Sequence, residues 1–130
     1  MEILLVEKDN LVRDQVKVGL QQFPEFTVTC GEGYAAINEV RQRHFDCIFI
    51  GVDPRNADGM RLLKHLRGFD RTTEVVAITP SKNLKDLANE KSRLNIAATV
   101  ATPVVANEFF RLVGRLRARR LESEQPQRSR

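Results

Sequence analysis

The sequence predicts an α/β fold in which a five-stranded parallel sheet carries five helices on both faces. Five short β-like runs alternate with stretches that repeat apolar residues at helical spacing. Most of those runs are apolar enough to be covered on both sides, which is typical of parallel strands joined by right-handed helical crossovers. At 130 residues the chain is long enough to bury one core and too short for a second domain.

The five predicted strands are rich in β-branched, aliphatic and aromatic residues. None of them approaches the ~20 apolar residues that a membrane-spanning helix needs, so no membrane span is expected. The strands are predicted at residues 2–6, 26–30, 46–50, 74–79 and 97–101.

Four of the helices have a residue suited to a helix start. Asp9, Asp58 and Ser81 are predicted to cap the first, third and fourth helices, because their side-chain oxygens can accept a bond from a backbone N–H. Gly33 is predicted to open the second helix. The apolar residues expected to face the core are Val12, Val16, Leu20, Ala36, Ile37, Val40, Leu62, Leu63, Leu66, Leu84, Leu87, Ala88, Phe109, Leu112, Val113 and Leu116.

The basic character of the chain lies in its last twenty residues. The net charge is +4, but residues 1–110 hold 14 basic and 15 acidic side chains, while residues 111–130 hold seven arginines and two glutamates. No aromatic residue interleaves those arginines, so we favour a solvated last helix over a nucleic-acid or anionic-membrane site, which stays an alternative. We expect a domain over residues 1–120 and a polar, disordered tail over 121–130. Arg67 is expected on a solvated surface.

The first residues indicate the cellular location of the chain, and the cysteines and histidines indicate whether it binds a metal or another cofactor. MEILLVEKDN lacks the basic region and the small-residue cleavage site of a secretion signal, so a cytoplasmic location is expected. Cys30 and Cys47 show no CxxC or Cys/His spacing and are expected to be small buried residues. His44 and His65 have no partner at metal spacing. We therefore expect no metal and no cofactor.

The residues that follow each strand are the candidates for chemistry. In a parallel sheet, ligands collect at the carboxyl ends of the strands, near the point where the strand order reverses. The candidate pocket residues there are Glu7, Lys8 and Asp9 after the first strand, Gly51 and Asp53 after the third, Thr79 at the fourth and Thr102 at the fifth.

An ordered set of motifs carries a resemblance to a known family. The motifs are VEKD, FDCIFIG, residues 54–59, VVAITP and VATP, with GYAAI at the second helix. Over residues 2–120 the chain resembles the receiver domains of two-component response regulators of bacterial signalling. The resemblance implies the flavodoxin-like strand order 2-1-3-4-5 and a cis bond before Pro103. In that order Cys30 and Cys47 are ~10 Å apart, beyond disulfide reach.

The resemblance also implies functional roles, from which this sequence departs. By register, the phosphoacceptor position is Gly51, and the second of the two Mg²⁺-binding acids is Lys8, next to the retained Glu7. The other correspondences are Thr102 for the family's lysine, Thr99 for its switching aromatic residue and Thr79 for its hydroxyl. Phosphoryl transfer depends on positioning and on charge neutralisation, so these losses together predict a degenerate, or pseudo-, receiver that is not an enzyme.

Two hypotheses concern the pocket itself. Lys8 is proposed to replace the metal in an ion-pair cluster with Glu7, Asp9 and Asp53, and a lysine pointing to solvent is the competing expectation. Asp53 is the rival phosphoacceptor of a still-active receiver. It lies two residues, ~6–7 Å of chain, beyond Gly51, which favours a role in the turn.

The function expected from the resemblance is phosphorylation-independent protein binding. In the family, the fourth helix, the fifth strand and the fifth helix form the usual dimer and partner face. We expect this face to bind an acidic protein partner or a second copy of the chain. The candidate partner-face residues are Lys82, Lys85, Lys91, Thr99, Phe110, Arg111 and Arg115.

Overall fold

The computed structural model describes residues 1–53 and 57–124, with side chains as far as residue 122. The strands are β1 (Glu2–Val6), β2 (Thr27–Gly31), β3 (Cys47–Gly51), β4 (Glu74–Pro80) and β5 (Ile96–Thr102). They form one parallel sheet in the order β2-β1-β3-β4-β5, which confirms the predicted fold and strand order.

Five α-helices connect or follow these strands, which also confirms the prediction. They are α1 (Asn10–Gln21), α2 (Gly33–Glu39), α3 (Ala57–Phe69), α4 (Leu84–Ala88) and α5 (Ala106–Glu124), and a 3-10 helix (Ser81–Asn83) leads into α4.

The predicted helix starts are right at α1 and shifted at α3 and α4. The Oδ1 atom of Asp9 accepts a hydrogen bond from the N–H of Val12 at 3.1 Å, so Asp9 caps α1. Asp58 lies inside the first turn of α3, where its negative charge interacts favourably with the helix dipole. Ser81 is not a cap, because β4 continues to Pro80 and Pro80 takes the position before the 3-10 helix.

Both faces of the sheet are buried, because alternate residues of the central strands point to opposite layers. The layer under α2, α3 and α4 contains Leu4, Ile48, Ile50, Ile37, Leu63, Leu66 and Leu87. The layer under α1 and α5 contains Ile3, Leu5, Phe49, Val16, Leu20, Phe109, Leu112 and Leu116. Ala88, which was expected to face the core, is exposed at the end of the short helix α4.

Arg67 is a buried connector rather than a surface residue. It is 4% exposed, and its guanidinium donates to the backbone carbonyls of Leu94, Asp70, Thr73 and Asn95 at 2.8–2.9 Å. Burial lowers the pKa of the guanidinium, and nearby Asp70 opposes that change. The side chain therefore joins the end of α3 to the segments that lead into β4 and β5.

Helix α5 extends to Glu124, four residues past the expected boundary at 120. The residues just after that boundary are Leu121 and Glu122, and both residue types are good helix formers. Three arginines of α5 form ion pairs with the rest of the domain: Arg117 with Glu25, Arg119 with Glu74 and Arg120 with Asp46. Within the described part of the chain, no helix is both long and apolar enough to cross a membrane.

The two cysteines differ in burial. Cys47 lies in the centre of the sheet on β3, and burial raises the pKa of its thiol. Cys30 is exposed, contrary to expectation, because β2 is an edge strand. Both thiols are free, and β1 separates the strands that carry them.

Candidate functional site

A cleft of about 640 Å³ opens at the carboxyl ends of β1, β2, β3 and β4. All seven candidate pocket residues line it: Glu7, Lys8, Asp9, Gly51, Asp53, Thr79 and Thr102. The parallel register brings them together, because Gly51 pairs with Ile78 on the neighbouring strand, and Pro80 pairs with Thr102. Such an edge, beside the reversal of strand order, is where open α/β sheets bind ligands.

The side chain of Glu7 occupies the space above Gly51. A Cβ atom placed on Gly51 would lie 2.8 Å from the Cδ atom and 3.1 Å from the Oε2 atom of Glu7. The first of these distances is shorter than packed carbon atoms adopt. Glycine at position 51 is therefore what allows the Glu7 carboxylate to lie at the end of β3.

Glu7 is a partly buried carboxylate. Desolvation raises its pKa above the usual value, and repulsion from Asp9 adds to this effect, while a hydrogen bond from the Asp9 N–H and the charge of Lys8 oppose it. The Asp9 N–H donates to Oε2 at 3.0 Å. Among the described residues, no lysine, arginine or histidine forms an ion pair with Glu7.

Lys8 does not form the hypothesised cluster with Glu7, Asp9 and Asp53. Its Nζ atom lies 3.4 Å from the Oδ2 atom of Asp58, and the two side chains are 69% and 66% exposed. An ammonium in this position keeps most of its hydration, which a place beside the partly buried carboxylate of Glu7 would reduce. The pair connects the β1–α1 loop to α3, and exposed pairs of this kind contribute about 0–1 kcal/mol.

Asp53 is held by a residue that the sequence did not single out. The Nδ2 atom of Asn83 donates to Oδ1 of Asp53 at 2.8 Å, and Asn83 is fully buried. This bond fixes the segment after β3 to the 3-10 helix after β4. The sequence indicated Asp53, because it is a polar residue that follows a predicted strand. Its pairing with Asn83 could not be predicted, because that pairing depends on how two loops meet in the folded chain.

The start of α3 packs directly on the end of β3. A Cβ atom on Gly59 would lie 3.1 Å from the carbonyl carbon of Gly51 and 3.1 Å from the Cα atom of Val52. The absence of a side chain at Gly59 therefore lets the helix approach the strand. This contact holds Asp58, the partner of Lys8, beside the cleft.

The two threonines of the site differ in environment. Thr79 is 1% exposed, and its Oγ1 atom has no hydrogen-bond partner in the described structure. Thr102 is partly exposed at the end of β5. The peptide bond between Thr102 and Pro103 is cis, as the resemblance implies.

The residues present do not fit a divalent metal ion. Position 51 supplies no side-chain oxygen, and position 8 supplies an ammonium, which pairs with Asp58, instead of a carboxylate. Mg²⁺ binds through oxygen ligands in near-octahedral geometry. Among the side chains described, those of residues 1–53 and 57–122, no group of three or more His, Cys, Asp or Glu is placed to hold a metal.

The candidate partner-face residues do not all lie together. Lys82, Lys85, Lys91, Arg111 and Arg115 are exposed, and Thr99 is partly buried on β5. Phe110 instead faces the end of α1, where its ring centroid is 6.2 Å from that of Phe23. Consecutive helix residues point about 100° apart, which separates Phe110 from the arginines that follow it.

The chain matches known receiver proteins over most of its length. Residues 3–113 match the family model described as the response regulator receiver domain. Stress response regulator protein 1 of Candida tropicalis is 27% identical over 92 residues, which cover 67% of this chain and 35% of that protein. The protein-glutamate methylesterase/protein-glutamine glutaminase of Hydrogenovibrio crunogenus is 28% identical over 107 residues, which cover 81% of this chain and 28% of that protein. The chain thus spans about a third of the length of these curated relatives.

The solved structures agree with this match at the level of the fold. A CheY-like response regulator receiver domain protein from Methanospirillum hungatei has a TM-score of 0.74 and 15% identity, covering 94% of this chain and 97% of that one. Receiver domains are signalling modules that interact with other proteins or effector domains. The family match covers most of the sheet and helices described above, and this chain therefore belongs to the response regulator receiver domain family.

Proposed function

We propose that this receiver domain is a protein-interaction module whose binding does not depend on phosphorylation. The observation that carries the proposal is the position of Glu7 over Gly51. Gly51 stands at the end of β3, where the family resemblance places the phosphoacceptor, and it has no side chain to accept a phosphoryl group. The Glu7 carboxylate occupies the space that an acceptor side chain needs.

The charges around the pocket support the same proposal. A phosphoryl group is stabilised during transfer by a metal ion and by cationic groups aimed at it. Lys8 is directed to Asp58 on the surface, and Thr102 offers a hydroxyl where the resemblance implies a lysine. An incoming phosphodonor would instead meet the carboxylates of Glu7 and Asp9, which repel it.

An active receiver that uses Asp53 is the competing proposal. Asp53 lines the same cleft, which favours it, but its Oδ1 atom accepts a hydrogen bond from Asn83. That bond directs the carboxylate towards the 3-10 helix and gives Asp53 a structural role. Our proposal therefore assigns Asp53 to loop positioning.

The proposed binding surface consists of the 3-10 helix, α4 and the turn after it, β5, and the side of α5 that carries Arg111 and Arg115. Its exposed cations are Lys82, Lys85, Lys91, Arg111 and Arg115. Cationic surfaces of this kind favour an acidic partner, and their steering effect weakens as ionic strength rises. A second copy of the chain is the other occupant we propose for this surface.

Binding of nucleic acid or anionic membrane through α5 has less support. Arg117, Arg119 and Arg120 are engaged in ion pairs with acidic residues of the domain. Affinity for a polyanion grows with the number of cations that contact it, and cations already paired contribute less. The remaining exposed arginines of α5 belong to the proposed protein-binding surface.

The test is covalent modification by a small phosphodonor. We would incubate the protein with Mg²⁺ and acetyl phosphate and measure its intact mass, with an active receiver domain as the positive control. We expect no added phosphoryl group on this chain. Addition of one group that disappears in Asp53→Asn would overturn the proposal in favour of the active receiver.

A further inference from the structure

We propose that the cleft at the carboxyl ends of β1, β3 and β4 binds a small organic cation, with the cationic head on the Glu7 carboxylate and an apolar body against the cleft wall. This inference does not rest on the proposed function, because a phosphorylation-independent module needs no such ligand. Three features of the described residues support it: a partly buried carboxylate that forms no ion pair with a described cation, a buried hydroxyl without a partner, and a cavity of suitable size.

The first feature is the charge of the cleft. Its described lining contains five carboxylates, Glu7, Asp9, Glu32, Asp53 and Asp58, and two cations, Lys8 and Arg61. Both cations are directed to Asp58, at 3.4 Å and 3.9 Å. Among the described residues no cation is therefore paired with the Glu7 carboxylate, which attracts cations and repels anions.

The second feature is the hydroxyl of Thr79. Thr79 lines the cleft, is 1% exposed, and has no hydrogen-bond partner for Oγ1 among the residues described. A buried polar atom without a partner costs free energy, and such atoms are uncommon in native structures. A primary ammonium has three donors and no acceptor, so it can bond to both the Glu7 carboxylate and the Thr79 oxygen.

The third feature is the size and wall of the cavity. Its volume of about 640 Å³ lies within the range of small-molecule sites, roughly 300–1,000 Å³. The wall includes the apolar side chains of Val12, Val52 and Leu62, and the aromatic ring of Tyr34. Tyr34 is 49% exposed, and its ring meets the ring of His65 edge-on at 5.1 Å between centroids, which fixes the tyrosine at this rim.

An organic cation suits these features better than a metal ion or an anion. A divalent ion needs several oxygen ligands in fixed geometry, whereas an ammonium is satisfied by one carboxylate and one or two neutral acceptors. The apolar wall gives an organic ligand surface to bury that a bare ion does not use. An anion would have to approach the Glu7 carboxylate, which repels it.

The experiment is a set of NMR titrations of the isotope-labelled chain with three probes of matched shape. Phenethylamine carries an ammonium on an aromatic body, 2-phenylethanol carries a neutral hydroxyl, and 3-phenylpropionate carries a carboxylate. We expect phenethylamine to shift the amide resonances of Glu7, Gly51 and Thr79 in a saturable manner. We expect the alcohol to bind at least tenfold more weakly and the carboxylate to cause no saturable shift.

Three variants test the assigned contacts. Glu7→Gln keeps the shape of the side chain and removes its charge, so phenethylamine should bind at least tenfold more weakly. Thr79→Val keeps the buried volume and should weaken binding severalfold. Asp14→Asn removes an exposed carboxylate of α1 outside the cleft and should leave the affinity unchanged.

The inference is overturned if phenethylamine gives no saturable shift at these amides. It is also overturned if the three probes bind alike, which would indicate apolar contact only, or if Glu7→Gln and Asp14→Asn have equal effects, which would indicate general charge attraction. None of these outcomes changes the phosphodonor experiment, so the two proposals fail separately.

Discussion

The Glu7 carboxylate lies directly over the Cα atom of Gly51, close enough that a Cβ atom at position 51 would be 2.8 Å from the Glu7 Cδ atom. A phosphoacceptor aspartate at position 51 and Glu7 in its present position therefore exclude each other. Restoring the aspartate alone would therefore require the Glu7 carboxylate, the end of a flexible side chain, to move. This relationship leads to the first prediction.

We predict that Gly51→Ala lowers the free energy of unfolding by about 0.5–1.5 kcal/mol, because the new methyl group forces the flexible Glu7 side chain out of its present rotamer. The same substitution made in a Glu7→Ala background should cost less, since the obstructing side chain is gone. Urea unfolding of the four proteins of this double-mutant cycle measures the coupling.

Gly114→Ala is the matched control, because a Cβ atom on Gly114 of α5 meets nothing within 4 Å. It should be neutral or stabilising by up to about 1 kcal/mol, through the higher helix propensity of alanine. Strictly additive costs for Gly51→Ala and Glu7→Ala would show that the two positions do not compete for space.

The second prediction concerns the pH dependence that Glu7 contributes. Desolvation raises the pKa of Glu7 in the folded protein above the ordinary value of a glutamate. Between the unfolded and folded pKa values the folded protein binds more protons, so this residue makes stability fall as pH rises through that window. Glu7→Gln removes this titrating group. The free energy of unfolding of the native protein, minus that of the variant, should therefore decrease as pH rises through that window.

Asp70 provides the opposite sign within the same protein. Burial alone would raise the pKa of Asp70, but bonds from the hydroxyl and N–H of Thr73, the N–H of Thr72 and the charge of Arg67 bring it below 3.8. Its contribution to stability is present above the unfolded pKa and is lost as pH falls. Side-chain carboxyl NMR titrations should show Glu7 titrating above 4.5 and Asp70 below 3.8; a Glu7 pKa at or below 4.5 would contradict the burial we describe.

The third prediction concerns Arg67. Arg67→Ala should lower the free energy of unfolding by about 2–4 kcal/mol, because several buried carbonyls lose their donor at once. Arg71→Ala is the control, since the exposed Arg71 makes one bond, to the carbonyl of Arg93 at 3.2 Å. That variant should stay within about 0.5 kcal/mol of the native protein in the same urea experiment. Equal effects of the two variants would show that Arg67 does not connect α3 to the sheet.

The fourth prediction concerns the proposed binding surface. Reversing two charges of α5 with Arg111→Glu and Arg115→Glu should weaken association with an acidic partner at least tenfold at low salt, and by less as salt rises. Association of two copies through this surface should also change, and sedimentation velocity measures it. Lys64→Glu on the exposed side of α3 is the control and should have little effect. Unchanged binding in the double variant would place the partner elsewhere.

The sequence was sufficient for the features that depend on local pattern. Apolar runs fixed β1 and β3 to within a residue, and the spacing of Asp9 before Val12 predicted the cap of α1. The residues after each strand were also found, because parallel strands place their carboxyl ends along one edge whatever the details of the loops.

Features that depend on long-range geometry were missed. Arg67 is an ordinary surface cation by its position on α3, and only the folded chain brings the carbonyls of Leu94 and Asn95 to its guanidinium. The same holds for Asn83 and Asp53, which are thirty residues apart in sequence. Of the two expectations for Lys8, the exposed position agrees with the solvent-facing lysine, while its pairing with Asp58, fifty residues away, depends on the folded chain.

The most direct measurement is an amide NMR spectrum of the isotope-labelled protein before and after addition of Mg²⁺ with beryllofluoride, which mimics a phosphoryl group on a receptive aspartate. Since Glu7 occupies the space over Gly51, we predict unmoved resonances for Glu7, Gly51 and Thr79. Stoichiometric shifts of these resonances that vanish in Asp53→Ala would contradict the account and identify a receiver that is phosphorylated on Asp53.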